Sequence, residues 1–443
     1  MAKKKQIELT IEEKLRNALV PKEEQPYKIP SNWCWTYIHN IAIVVTGKTP
    51  SKKNKEYYGG KFPFFKPADL DAGRNMQYAT EYLSEKGKSI SVIIPEKSTG
   101  ICCIGTIGKC GYFLVEGTTN QQINTVISKI NPLYSYYFFN TNSFVRELIS
   151  KASATTIAIV NKSKLESCLF PVAPLNEQQR IVNRIESLFA KLDRAKELIE
   201  NTLAQFEENK MAILHKAFTG QLTVKWRKEN NIDLSSWKKC ELKEVFKVVK
   251  DKYNPQTENQ IVNYIGLENI ETSKGIISKS NSSEVKSIKT KFKKDDVLYG
   301  KLRPYLNKHD VVNFDGICST DILVFRFNDI NTAKYINYYF NLPMFIQYAV
   351  ENSSGINLPR VSEKTISKYK ISLPTIEEQQ EIVNILDNLL AKYNKIKNLE
   401  QQLEKIELLK KAILAKAFRG ELGTNNPDEE SAENLLKEIL AEK

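Results

Sequence analysis

One segment of the sequence has residue types and spacing that suggest nucleotide chemistry. Residues 42–49 (AIVVTGKT) match a loose P-loop pattern, in which backbone N–H groups and a lysine bind phosphates. The variable positions are β-branched rather than flexible, and Pro50 biases Thr49 away from the helix that follows a P-loop. No acidic strand of the Walker-B type accompanies the segment. The pattern therefore does not predict ATP binding.

Three other patterns fail as catalytic or metal sites. Residues 131–134 (NPLY) differ by one residue from the Asn-Pro-Pro-Tyr loop of amino-methyltransferases, but no glycine-rich loop for a methyl donor precedes them. Glu284 and Lys286 have the spacing of a nuclease Glu-x-Lys pair, yet they lie in a Ser/Lys-rich segment typical of a solvated loop. The histidines are scattered along the chain: His39, His215 and His309. We therefore predict no catalytic residue and no metal site.

Composition excludes several classes of protein. The 443 residues are 41% hydrophobic and 26% charged, which suffices for two or three domains with buried cores. Seven cysteines without a CxxC pair predict neither a disulfide framework nor a zinc ribbon. No run approaches the roughly 18 apolar residues of a membrane span, and the N-terminus lacks the apolar core of a signal peptide. We therefore expect a cytoplasmic protein without a membrane partner.

The positive charge is concentrated in two blocks of similar size. The whole chain carries a formal charge of +13. Residues 30–173 hold 16 Lys and Arg against 9 Asp and Glu, and residues 234–373 hold 22 against 15. Lysine and arginine make nucleic-acid binding favourable because they neutralise phosphates. The distribution therefore predicts two modules that bind a polyanion.

The chain is an internal duplication with a period near 200 residues. Residues 177–183 (EQQRIVN) match 378–384 (EQQEIVN), and residues 212–222 (AILHKAFTGQL) match 412–422 (AILAKAFRGEL). This period is too long for a solenoid repeat, so it indicates two copies of a domain followed by a helix.

Two long helices are predicted between the matching ends. Apolar residues recur at spacings of three, four and seven from Ile181 to Ile213, and the second copy repeats them with one residue lost between Ile396 and Leu399. Thr375 and Glu378 have the spacing of a capping box at the start of the second helix. Neither helix can bury its apolar stripe alone. We expect the two helices to pair with each other, although pairing with another subunit is left open.

The predicted fold class is α+β. Two mixed α/β domains are separated by two long helices that form an antiparallel coiled coil, with pseudo-two-fold internal duplication. In the two blocks, 36–45, 90–94, 261–265 and 321–327 are predicted to form strands, while 134–149 and 334–350 are predicted to form helices. The predicted boundaries are an N-terminal helical arm (1–29), a first domain (30–173), helix 1 (174–220), a second domain (221–373), helix 2 (374–420) and an acidic C-terminal tail (421–443).

The near-identical helices and divergent blocks resemble the specificity subunit of type I restriction-modification systems. Residues 47–65 (GKTPSKKNKEYYGGKFPFF) and 300–308 (GKLRPYLNK) are similar to segments of that family's target-recognition domains. The resemblance implies that each domain reads one half of a bipartite DNA site and that the helices set the spacer. It also implies a non-catalytic chain without cofactors, which assembles with two methyltransferase subunits and with restriction/translocase subunits. Those partners would hold S-adenosylmethionine, ATP and Mg²⁺.

Two sets of site residues follow. Polar or basic loop residues are predicted to contact double-stranded DNA: Lys48, Thr49, Lys52, Thr106, Lys109, Gln121, Gln122, Tyr299, Lys301, Arg303, Asn357 and Arg360. Residues retained in both helical copies are predicted to contact the methyltransferase subunits: Gln178, Gln179, Phe218, Gln379, Gln380 and Phe418. In the sequence, residues 357–360 (NLPR) have no clear counterpart in 158–161.

Two alternative functions compete with this prediction. One is a standalone DNA methyltransferase or nuclease, against which the missing methyl-donor loop counts. The other is a coiled-coil scaffold without a DNA role, against which the charge on the two blocks counts.

Overall fold

The structure, a computed structural model, describes residues 9–153, 158–258, 261–272, 274–394 and 397–442. The chain divides into two compact units. The first unit joins Met1–Leu198 to Gln401–Lys443, and the second comprises Ile199–Glu400. The boundaries between the units, at 198/199 and 400/401, fall inside the two predicted helices 174–220 and 374–420. The six predicted segments instead keep each of these helices whole.

The described residues of the first domain form short helices and three sheets. Its helices, with the preceding arm, are α1 (Ile11–Ala18), α2 (Ile38–Ile41), α3 (Glu85–Ser89), α4 (Pro132–Phe139), α5 (Asn142–Ser150) and α6 (Lys162–Glu166). Its strands are β1 (Cys34–Tyr37), β2 (Ala42–Thr46), β3 (Tyr58–Phe65), β4 (Glu81–Leu83), β5 (Thr99–Cys102), β6 (Cys110–Tyr112), β7 (Thr118–Thr119), β8 (Ile123–Ser128) and β9 (Leu169–Val172). The sheets have the orders β2-β8-β5-β6, β4-β3-β7 and β1-β9. The strand predicted over 90–94 was wrong, because these residues form turns and a single bridge.

Helix α7 (Leu175–Phe218) leads from the first domain into the second. The later helices are α8 (Val224–Glu229), α9 (Ile330–Tyr339), α10 (Pro343–Glu351), α11 (Glu363–Ser367), α12 (Ile376–Asn394), α13 (Lys397–Ala417) and α14 (Ala432–Ala441). The strands are β10 (Lys238–Glu241), β11 (Lys247–Val248), β12 (Lys252–Tyr253), β13 (Asn263–Ile265), β14 (Ile270–Glu271), β15 (Gly275–Ile276), β16 (Ser280–Asn281), β17 (Lys289–Phe292), β18 (Val297–Gly300), β19 (His309–Val311), β20 (Gly316–Cys318), β21 (Ile322–Arg326) and β22 (Lys370–Leu373). The sheets have the orders β11-β21-β18-β19, β12-β17-β20-β13-β16, β14-β15 and β10-β22.

The duplication is visible in the sheets. The four-stranded sheet β11-β21-β18-β19 of the second domain repeats the order and the antiparallel pairing of β2-β8-β5-β6 in the first. The strand pair β10-β22 likewise repeats β1-β9. The predicted mixed α/β domains and their internal repeat are therefore confirmed.

The long helices run antiparallel where they meet in the first unit. Lys410 Nζ lies 2.5 Å from Asp193 Oδ1, and Lys196 Nζ lies 3.6 Å from Glu407 Oε1. Residue numbers therefore rise along α7 as they fall along α13. The loss of one residue was predicted between Ile396 and Leu399, and Ile396 is outside the described residues.

The ends of the long helices complete the domain cores. Phe418, after α13, packs against Tyr134 and Phe138 of α4 in the first unit, with ring centroids 4.9 and 5.2 Å apart. In the second unit, Phe218 packs against Tyr335 and Tyr339 of α9 at 5.1 and 4.9 Å. Each domain therefore shares its core with the end of a long helix.

The acidic C-terminal segment is part of this core. Leu436, Ile439 and Leu440 of α14 are buried in the same cluster as Leu15 of α1. Lys437 Nζ also lies 2.9 Å from Glu12 Oε1. The prediction of a tail was wrong for these residues because α14 is amphipathic and buries its apolar face. None of the described helices is long and apolar enough to cross a membrane.

Candidate nucleic-acid interface

Three loops of the first domain meet at one end of the sheet β2-β8-β5-β6. Thr46 at the end of β2 pairs with Asn124 near the start of β8, and Cys102 at the end of β5 pairs with Ile123. The loops 47–53, 103–109 and 119–122 therefore leave or enter the sheet side by side. We call them the first loop cluster.

Backbone hydrogen bonds fix the loops of this cluster to one another. The N–H of Lys48 donates to the carbonyl of Thr119 at 2.9 Å, and the N–H of Cys103 donates to the carbonyl of Gln122 at 2.8 Å. A Cβ at Gly47 would lie 2.2 Å from Thr119 Oγ1, so only glycine permits this approach. Gly47 therefore allows the loops 47–53 and 119–122 to pack closely. No helix begins at Lys48, as one would in a P-loop.

The predicted DNA-contacting residues of the first domain all lie in these loops. Lys48, Lys52, Thr106 and Gln121 are exposed. Thr49 Oγ1 donates a hydrogen bond of 2.5 Å to Gln121 Oε1, which joins two of the loops. The remaining two are half-buried and engaged: Lys109 pairs with Asp71 at 2.7 Å, and Gln122 Oε1 accepts a hydrogen bond from Asn120 Nδ2.

A second loop cluster occupies the same place in the second domain. It consists of the loops 301–308, 319–321 and 353–361. The N–H of Lys301 donates to the carbonyl of Asp321 at 2.9 Å, and the N–H of Arg303 donates to the carbonyl of Pro359 at 2.7 Å. The Arg360 guanidinium also binds the Asp321 carboxylate, with Nε 3.0 Å from Oδ1. Arg303, Asn357 and Arg360 are exposed, and Lys301 is half-buried.

The two clusters share one backbone framework. Single β-bridges join Arg360 to Leu302 and to Ser354, just as bridges join Ile159 to Ile104 and to Ser153. Arg360 therefore does have a counterpart, Ile159, whereas residues 154–157 lie outside the described residues. The sequence comparison missed it because Arg360 corresponds to an isoleucine, so the backbone is retained while the side chain differs.

Tyr299 is a wrong prediction. Its side chain is fully buried, and its ring packs against Phe340 at 5.2 Å. Burial raises the pKa of the Tyr299 hydroxyl. A side chain beneath the sheet surface cannot reach a base, although the loop 301–308 begins only two residues later.

Four of the residues predicted to contact the methyltransferase subunits are also not exposed. Gln178 and Gln379 are buried, and each donates through Nε2 to a carbonyl five residues earlier, in Ala173 and Pro374 respectively. Phe418 is fully buried and Phe218 is half-buried, because both rings complete domain cores. The repetition of these four residues therefore reflects folding rather than an exposed contact.

Glu378 and Glu177 are buried hydrogen-bond acceptors, a role that the sequence analysis did not predict. Glu378 accepts hydrogen bonds from Trp237 Nε1 at 2.8 Å, Thr223 Oγ1 at 2.6 Å and Arg227 Nη1 at 2.6 Å. The predicted capping pair is formed in part: Thr375 Oγ1 accepts a hydrogen bond from the Glu378 N–H at 3.4 Å, while the Glu378 carboxylate makes these buried contacts instead. In the first unit, Glu177 accepts from Trp33 Nε1 at 2.7 Å. The repeated glutamate and tryptophan in both copies were the available signal.

A largely exposed patch recurs at the start of both long helices, with Gln380 as its half-buried member. Leu175 and Ile376 have 53% and 52% of their surfaces exposed. One and two turns later, Gln179 donates to Asn183 at 2.8 Å and Gln380 donates to Asn384 at 2.7 Å. We call these residues the replicated patch: Leu175, Gln179 and Asn183 in the first copy and Ile376, Gln380 and Asn384 in the second.

Comparisons with known proteins agree with a chain that contains two copies of one domain. The family model "Type I restriction modification DNA specificity domain" matches residues 30–205 and 235–408. The specificity subunit of the type I restriction enzyme EcoDI from Escherichia coli is 24% identical, over 94% of this chain and 96% of that protein.

Two solved structures have the same fold. A chain solved in work on complex assembly and conformational transition of the type I R-M system has a TM-score of 0.69 and 18% identity. The match covers 89% of this chain and all of the other. The HsdS subunit from Thermoanaerobacter tengcongensis has a TM-score of 0.55 and 19% identity, over 90% of this chain and 99% of that one.

Proposed function

The chain belongs to the type I restriction modification DNA specificity family, and we propose that each of its two domains reads one half of a bipartite DNA site. The supporting observation is the pair of loop clusters, which share backbone bridges but differ in side chains. A constant framework with variable loops can present different hydrogen-bonding groups to two different half-sites. The chain acts as a recognition subunit rather than as an enzyme.

The charge of the two domains supports binding to duplex DNA. The first block carries a surplus of seven positive charges, and the second block carries the same surplus. These charges would supply phosphate contacts that position the loops over base edges. The exposed Lys48 and Lys52 of the first cluster are the residues best placed for such contacts.

Replacing Arg303 with alanine tests this proposal. If Arg303 pairs with a base, Arg303→Ala should weaken binding to the full site by roughly 5–150-fold, since a bidentate base contact contributes about 1–3 kcal/mol. The change should relax recognition of one half-site only. Competition binding of the assembled complex against duplexes altered in either half measures both effects.

Lys238→Ala is the matched control, because Lys238 is exposed on β10, which pairs with β22 rather than with the sheet of the loop cluster. The control should leave half-site discrimination unchanged. If Arg303→Ala weakens binding to all duplexes equally, Arg303 contacts the DNA backbone and not a base.

The assembly is proposed to contain two methyltransferase subunits, joined by restriction/translocase subunits. The replicated patch offers two equivalent surfaces, as expected when two copies of one partner bind a duplicated chain. S-adenosylmethionine, ATP and Mg²⁺ are then held by the partners, and the complex acts in the cytoplasm. Of the residues predicted to contact these subunits, Gln179 and Gln380 lie in the replicated patch.

Charge placed in the replicated patch should remove the partners one at a time. Leu175→Asp and Ile376→Asp should each reduce the complex from two methyltransferase subunits to one, because a carboxylate in an apolar contact is poorly solvated. The double variant should bind none. Native mass spectrometry of the reconstituted complex gives the stoichiometry directly.

Leu408→Asp serves as the control for this experiment. Leu408 is 64% exposed, and the other copy has Glu208 at the equivalent position, so no apolar patch is repeated there. Leu408→Asp should retain both partners. A one-to-one complex of the unaltered chain would contradict the proposal.

A further inference from the structure

The loop 301–308 of the second cluster is anchored from below by buried amides and an imidazole. Asn307 closes the loop with a left-handed backbone (φ +43°), and its side chain is buried. Asn307 Nδ2 lies 3.0 Å from the carbonyl oxygen of Phe340 at the end of α9 and 3.0 Å from His309 Nε2. His309 Nδ1 lies 2.7 Å from Asn337 Oδ1, one turn earlier in the same helix.

The donor and the acceptor of each of these hydrogen bonds can be assigned in only one way. The Phe340 carbonyl can only accept, so the amide nitrogen of Asn307 must face it. The second N–H of that amide then donates to His309 Nε2, which must be unprotonated. The proton of the imidazole therefore resides on Nδ1 and is donated to Asn337 Oδ1. Every member of the chain has its role fixed by a backbone carbonyl that cannot change.

The surroundings keep His309 neutral, as this arrangement requires. Its ring is stacked on Tyr299 at 6.1 Å and meets Phe340 edge to face at 5.6 Å. Burial lowers the pKa of His309 to about 4. The imidazole is therefore an acceptor at Nε2 throughout the physiological pH range.

The loop needs such an anchor because its backbone is strained at both ends. Arg303 (φ +52°) and Asn307 are both left-handed, and between them Pro304–Leu306 forms a single helical turn. Non-glycine residues hold this conformation only when their surroundings impose it. At the Arg303 end the restraint is the hydrogen bond to Pro359, and at the other end it is the side chain of Asn307.

The equivalent loop of the first domain, 103–109, is not held by an amide and an imidazole. At the equivalent positions Gly108 has φ +88° and Cys110 begins β6. Cys110 Sγ donates to the carbonyl of Phe139, the counterpart of Phe340, at 3.6 Å. Glycine adopts the left-handed conformation at little cost, so no amide is required. The Asn–His pair is thus particular to the second domain.

We propose that Asn307 and His309 are positioning residues that fix the DNA-reading loop 301–306 and so determine which bases the second domain accepts. This proposal rests on the proposed function, because it assumes that Arg303 faces DNA. The two residues act through the backbone and touch no base themselves. Releasing Asn307 from Phe340 frees the end of the turn that begins at Arg303, so the guanidinium samples several directions.

Two variants of the full chain, each assembled with its methyltransferase subunit, test the proposal. His309→Phe retains an aromatic ring against Tyr299 but removes the acceptor for Asn307. Asn307→Gly tolerates the left-handed backbone but removes both amide contacts. Each should reduce discrimination between the native duplex and duplexes altered in one half by at least tenfold. Discrimination in the other half and the dependence of binding on salt should not change.

Ile366→Ala is the control for general destabilisation, because Ile366 is buried in α11 of the same domain and contributes nothing to this hydrogen-bonded chain. It should lower the melting temperature without changing half-site discrimination. Native discrimination in His309→Phe and Asn307→Gly would overturn the positioning role alone. Absence of any half-site discrimination in the unaltered complex would instead overturn the proposed function on which it rests.

Discussion

Replacing Glu378 with alanine is expected to destabilise the second unit by about 3–5 kcal/mol, the cost of breaking a buried ion pair. Glu378 is fully buried, and Arg227 is 7% exposed. Removing the carboxylate leaves the Arg227 guanidinium inside the fold without a counter-charge, and it also leaves Trp237 Nε1 without its acceptor. Thermal unfolding followed by circular dichroism should show the loss as a lower midpoint for the second unit.

Three further variants isolate the charge from the other contacts. Glu377→Ala, one residue earlier and exposed, should change stability by less than about 0.5 kcal/mol. Glu177→Ala should cost less than Glu378→Ala, because its described hydrogen-bond donors, Trp33, Thr424 and Asn425, are neutral. The double change Glu378→Leu with Arg227→Met should restore much of the stability, since neither charge remains. Equal losses at Glu177 and Glu378 would contradict this explanation.

Lengthening both long helices by seven residues is expected to change the DNA spacer that the complex prefers. The resemblance to type I specificity subunits implies that the helices set the distance between half-sites, and we propose that they do so here. Seven residues inserted directly after Lys196 and directly before Glu407, which pair across α7 and α13, keep the apolar stripes in phase. The insertion adds about 10 Å of helix, which corresponds to roughly three base pairs.

The measurement is methylation or binding on a series of duplexes with unchanged half-sites and spacers of increasing length. The optimum should move to a longer spacer. Roughly three additional base pairs also rotate one half-site by about 100° around the duplex, so overall activity is expected to fall as well. Insertion in α7 alone should abolish activity, since it leaves the partner helix unmatched. An unchanged optimum in the paired variant would show that the helices do not set the spacer.

Local patterns in the sequence predicted much of the architecture. Two matching segments about 200 residues apart predicted the duplication, and the spacing of apolar residues from Ile181 to Ile213 predicted α7. The β-branched residues before Gly47 predicted a strand, which the structure has as β2. These features depend on neighbours a few residues apart or on direct repetition, so the amino-acid order alone contains them.

Which repeated residues face outward was decided only by long-range packing. Gln178 and Phe418 recur with Gln379 and Phe218, and repetition alone could not distinguish a contact surface from a core. Tyr299 lies a few residues before the exposed Arg303 in sequence, yet it belongs to β18, whose four residues are all buried, and its ring packs in the domain core. The acidic segment after residue 421 became a core helix because α1, more than 400 residues earlier, supplies the opposing apolar face.

The sequence by itself therefore determined the repeat, the long helices and the charged character of both domains. The tertiary structure alone decided the burial of Glu177 and Glu378, the pairing of Asn307 with His309, and the shared framework of the two loop clusters. The physical reason is that periodicity reports which face of an element is apolar, whereas burial and hydrogen bonding depend on partners that the fold brings from distant parts of the chain.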